Sequence, residues 1–164
     1  MSNPLLTAWS TPHETPPFEA VKPEHFLPAF DQAFADHSSE IAAIVADPAA
    51  PDFDNTITAL ERSGKLLQKV SAVFYALVSA DSSPVLLEIE KEVALKETRH
   101  WNPIMMNAAL FARITKLHDA RALLKLTGEQ KRLLERTWTR FHRAGAGLGD
   151  DVKARMAAIN WAGV

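Results

Sequence analysis

The placement of proline limits most strongly what this chain can fold into. Five of its ten prolines, Pro4, Pro12, Pro16, Pro17 and Pro23, fall within the first 23 residues. Each removes a backbone donor and fixes one torsion, so residues 1–23 are expected to form an extended arm rather than a helix. Such an arm holds its place by burying apolar side chains, and Trp9 and Phe18 are the expected anchors.

Beyond the arm the pattern turns helical. Leu27, Phe30, Phe34, His37, Ile41 and Ile44 recur at spacings of three and four, which predicts a helix from near Pro28 to the stop at Asp47-Pro48. A second helix is expected after the loop 49–53, capped by Asp54 or Asn55. Its stripe is Ile57, Leu60, Gly64, Leu67, Ser71, Phe74 and Val78, with Gly64 and Ser71 leaving room for close helix approach. Ser83-Pro84 opens a third through Leu86, Ile89 and Val93 towards His100, and Asn102-Pro103 marks a break or kink. A fourth starts at Asn107 with Leu110, Ile114, Leu117 and Leu124. Thr127 and Gln130 form a capping box for a fifth with Leu134, Trp138 and Phe141, interrupted by Gly145, Gly147 and Gly149. A sixth begins around Asp150 with Val152, Met156 and Ile159. No segment alternates polar and apolar residues as a strand would. The expected fold is therefore all-α: an antiparallel bundle of about six helices over residues 24–164, preceded by the proline-rich arm, with Phe30, Phe34, Leu67, Phe74 and Trp138 largely buried.

Charge and composition exclude several functions. A net charge of −2 gives no overall attraction to nucleic acid or to an anionic membrane. With no cysteine there is no disulfide, thiolate nucleophile or sulfur-bound zinc. No lysine or arginine precedes Lys22, so the start does not read as a secretory signal, and the longest apolar run, 70–80, is about half a membrane span. The expected location is the cytoplasm.

The search for chemistry finds little. A zincin site needs two histidines one helical turn apart, yet the six histidines, at 13, 25, 37, 100, 118 and 142, include no pair three to five residues apart. Glu97 and His100 form one ExxH without the second copy a di-iron site requires; they read as a partly exposed polar helix end. Glu88, Glu90 and Glu92 interleave with Lys91 and Lys96 as a solvated face does. The three glycines near residue 147 lack the strand that a nucleotide-binding loop follows, and His37 lies within an apolar stripe as a satisfied core histidine would. What remains is a basic stripe, Arg132, Arg136, Arg140 and Arg143, whose spacings of four, four and three align four guanidinium groups on one helix face. Residues 125–143 hold six basic residues against two acidic ones, a net +4. A solvated face, peptide or partner contact, and nucleic-acid binding are all compatible with that stripe.

Three stretches carry a family resemblance: NPLLTAWSTPHETPPFEAVKPEHFLPAFDQAF at 3–34, PDFDNTITALERSGKLLQKVSAVFYAL at 51–77 and GEQKRLLERTWTRFHRAGAGL at 128–148. Together they resemble the N-terminal region of the thimet oligopeptidase, oligopeptidase A and peptidyl-dipeptidase Dcp family of zinc metallopeptidases, with the bacterial peptidyl-dipeptidases nearest. Relatives typically have a proline after the asparagine where this chain reads Asn107-Ala108, and they continue a charged helix where it reads Asn160-Trp161-Ala162-Gly163-Val164. The resemblance implies a non-catalytic domain forming one wall of a channel for short peptides, with the single zinc ion held by a catalytic domain beyond these residues. A helical module that binds peptides or protein partners on its own is the other function expected. A homodimer is also expected, through Val152, Met156, Ile159 and Trp161, on the surface the catalytic domain would otherwise cover.

Overall fold

The computed structural model describes residues 2–81, 83–149, 151, 152 and 155. Among them there is no strand. Five long helices carry the fold, namely α1 (Phe26–Ala46), α3 (Lys65–Ala80), α4 (Pro84–Met105), α5 (Ala108–Ala120) and α6 (Gly128–Arg143), together with the single turn α2 (Ala59–Arg62). The all-α class expected from the sequence is the class observed. The expected count of six helices differs because the second is built in pieces; the sixth, from Asp150 through Met156 and Ile159, falls mostly outside the described residues.

Contacts divide the chain into two compact units, Met1–Glu40 with Gly64–Thr98, and Ile41–Ser63 with Arg99–Val164. In the first unit the core is aromatic. Phe26, Phe30 and Phe74 are fully buried, and the Phe74 ring meets Phe26 at 4.9 Å and Phe30 at 5.4 Å, both edge to face. Such geometry sets the positive ring edge against the negative face and adds to the area buried. α3 contributes Leu67, Val70, Val73 and Phe74. The stripe expected there, which included Ser71 and Val78, is rotated because Gly64 sits at φ +69° and interrupts the helix, resetting its phase at Lys65.

The arm is a succession of turns rather than an extended strand. Leu6 N donates to Asn3 O at 3.1 Å, Pro12–Glu14 form a 3-10 turn, and His13 and Glu14 have positive φ. Its anchors also differ from those expected. Asn3 Nδ2 donates to His25 O at 2.7 Å, which brings the adjacent Leu5 into the core, where it is fully buried. Trp9 is half-buried, with Nε1 donating to Pro4 O at 2.9 Å and the Lys69 ammonium 4.0 Å above its ring, whereas Phe18 remains 49% exposed. The hydrogen bonds at Asn3 tie the arm down close to α1, so burial falls to the nearest apolar side chain.

The second unit has an aliphatic core of Ile41, Ile44, Ile57, Ile104, Leu110, Ile114, Leu117 and Leu134 with Phe141. Its first cap is Asp52, ahead of the expected Asp54 or Asn55: Asp52 Oδ1 accepts from Asn55 N at 2.7 Å while Asn55 Oδ1 accepts from Asp52 N at 2.9 Å. This box opens a wide π-type turn, Phe53–Thr58, that buries Thr56 and Ile57. Pro103 does not break α4, which runs on to Met105. Sitting in the last turn, it forfeits a single ladder bond, and the burial of Ile104 holds the helix together. Asn107 caps α5 as expected, accepting from Leu110 N at 2.9 Å. α5 ends at Ala120, leaving Leu124 in the following loop instead of on the helix. α6 starts at the expected Thr127–Gln130 box and ends in paired bonds from Gly145 N to His142 O and from Ala146 N to Phe141 O, both 3.1 Å, with Gly145 at φ +90°.

Candidate functional site

α6 owes its stripe to the separation of its two faces. Leu134, Thr137 and Phe141 point into the aliphatic core, and Arg132, Arg136, Arg140 and Arg143 lie exposed on the opposite side. Four residues advance a helix by about 6 Å, so the four arginines form a ladder about 16 Å long. Thr139, half-buried, and Glu135, exposed, occupy the trough between them. The Arg140 guanidinium carbon lies 5.6 Å from the Trp101 ring centroid, which restrains that arginine and shields one of its faces. Among the described residues none of the four forms a salt bridge, so their charge is not neutralised from within.

Trp138 is half-buried rather than deep in the core, because two imidazoles enclose it. The His118 ring stacks on one side at 4.3 Å and the His142 ring at 4.7 Å, both within 10° of parallel, and Trp138 Nε1 donates to Thr115 Oγ1 at 3.2 Å. Phe141 is buried. Neither aromatic of α6 therefore has a free face for a ligand.

The remaining candidates have structural roles. Glu97 accepts the Tyr75 hydroxyl proton at 2.9 Å; burial, this bond and the nearby Glu97 and Glu90 carboxylates push the Tyr75 pKa up to about 12. His100 is buried, not partly exposed, and meets the edge of Trp101 at 5.4 Å. Lys91 pairs with Glu88 at 2.7 Å, and Lys96 pairs with Asp31 at 2.6 Å and Glu92 at 3.5 Å, which raises the Lys96 pKa chiefly through Asp31. The acidic run is thus a solvated, paired face. Among the described residues no group of three or more metal-ligating side chains converges, and no helix is long and apolar enough to cross a membrane. Of the residues expected at a dimer interface, Val152 is 39% exposed, whereas Met156, Ile159 and Trp161 lie outside the described residues.

Two residues with clear structural roles escaped sequence reasoning. Arg113 reaches from α5 to the loop before the π-type turn, donating to Asp47 O at 2.9 Å, Ala49 O at 3.4 Å and Asn55 Oδ1 at 3.1 Å. It adjoins Ile114 in sequence and looks there like any flank of an apolar stripe. Trp101 gives no signal either, since only folding places it beneath Arg140.

Comparison with known proteins gives a consistent result. The chain is 40% identical over 159 residues to the dipeptidyl carboxypeptidase of Salmonella typhimurium and 37% identical over 158 residues to that of Escherichia coli. It is 29% identical over 161 residues to oligopeptidase A of Salmonella typhimurium. These alignments take in 96–97% of this chain but 23% of each relative. No family model matches it.

Proposed function

Because the chain belongs, over this length, to the dipeptidyl carboxypeptidase and oligopeptidase A family, we propose that it is the non-catalytic helical domain of a peptidyl-dipeptidase, an N-terminal segment that forms one wall of the channel admitting short peptides. The observation that carries this reading is the disproportion in the alignments, nearly all of this chain against 23% of each relative. The sequence has no HExxH, so in this reading the hydrolytic zinc belongs to a catalytic domain outside these residues. The residues proposed to meet peptide are Arg132, Arg136, Arg140 and Arg143, and the cytoplasm is the proposed location. In that compartment short peptides are the substrate class implied by the relatives' names.

The chain alone is expected to hold no stoichiometric zinc and to leave quenched-fluorescence peptides intact. Metal analysis and a peptide assay on repurified protein measure both. Turnover that copurifies with zinc would overturn the proposal.

A further inference from the structure

We propose that the α6 arginine ladder binds an extended peptide segment carrying acidic side chains at alternate positions. Arg132, Arg136 and Arg140 repeat along one face about every 6 Å, and side chains on one side of an extended chain repeat about every 6.7 Å. Acids at positions i, i+2 and i+4 therefore meet successive guanidinium groups, and the reach of the arginine side chain absorbs the small mismatch. A compact acidic ligand would not keep this register.

The chemistry of the face agrees with that geometry. The four arginines are exposed, and among the described residues none is neutralised by a salt bridge, so an incoming carboxylate displaces no internal partner. Trp101 shields one side of Arg140, which strengthens a forked carboxylate contact there. Among the described residues Glu135 is the one carboxylate lining the trough; it disfavours an acid directly above it, so acids spaced two residues apart suit the face better than an unbroken acidic run. Single-stranded nucleic acid, the competing polyanion, would need aromatic platforms for its bases. Trp138 is enclosed between His118 and His142, Phe141 is buried, and Arg140 already lies over Trp101.

The choice of a peptide rests on the proposed peptidase reading; the spacing argument does not. The test is fluorescence anisotropy at low ionic strength with the 164-residue chain and two labelled octapeptides of equal composition. One alternates glutamate with alanine, and the other has its glutamates in a single block. Binding of the alternating peptide is expected to be about tenfold tighter, the scale two exposed ion pairs can supply. Arg132→Ala with Arg136→Ala, which leaves the Trp101 contact in place, should remove that advantage while circular dichroism stays unchanged. Equal affinity for the two peptides overturns the proposal, as does an unaffected double variant or tighter binding of an oligothymidylate of equal charge. None of these outcomes bears on zinc content or hydrolysis, so this inference and the domain reading fail separately.

Discussion

The two units solve the problem of making a core from helices differently. In the first, three fully buried phenylalanine rings interlock edge to face. The second packs branched aliphatic side chains and then fastens an irregular loop with one arginine from α5. Rings resist rearrangement because their contacts are directional, whereas an aliphatic core tolerates many packings and gains definition from polar bonds that have only one solution. The π-type turn Phe53–Thr58 lies accordingly in the second unit.

This contrast can be broken experimentally. The largest effect is expected at the ring cluster, where Phe74→Ala should destabilise by about 3–5 kcal/mol in urea unfolding. A loss below about 1 kcal/mol would mean the rings close up freely around the gap. Arg113→Ala should cost about 2–4 kcal/mol, since Asp47 O, Ala49 O and Asn55 Oδ1 all lose their charged donor. If that variant is silent, burial of Phe53 and Ile57 alone holds the loop, and the two units do not differ in kind.

Smaller effects sharpen the comparison within the first unit. Gly64 has φ +69°, and a Cβ there would lie 3.2 Å from the His37 ring, so Gly64→Ala is expected to cost about 1–2 kcal/mol, read as a lowered Tm. Burial lowers the His37 pKa from its ordinary 6.5, with Glu40 acting against the shift. The folded chain therefore binds fewer protons than the unfolded chain just below that pH. His37 thus contributes stability that is present above pH 6.5 and lost as the pH falls below it. A Tm measured at about pH 7.5 and again at about pH 5.5 should fall more for the wild type than for His37→Gln. Equal falls would assign the pH dependence to other groups.

Much of this was legible in the sequence because it depends on local chemistry. The Thr127–Gln130 box, the Asn107 cap and the stripe from Phe30 to Ile44 each follow from neighbours three or four residues apart. Of the break or kink expected at Asn102-Pro103, the break does not occur because the burial of Ile104 outweighs one lost bond, and that burial depends on residues distant in sequence. The rotation of α3 was hidden for a related reason, since the periodicity on both sides of Gly64 looked continuous while the backbone broke. At the candidate site the spacing of the four arginines was legible. The Trp101 ring beneath Arg140 lies 39 residues upstream of it and no local pattern connects the two.

The stack around Trp138 also makes the second unit observable by optical means. An indole held flat between two imidazoles relaxes by contact with its neighbours, so its emission should be dim while α5 and α6 stay together and should brighten when they part. Replacing the other three tryptophans with phenylalanine would leave one chromophore reporting on one helix pair, so that loosening of α6 could be followed without any added label.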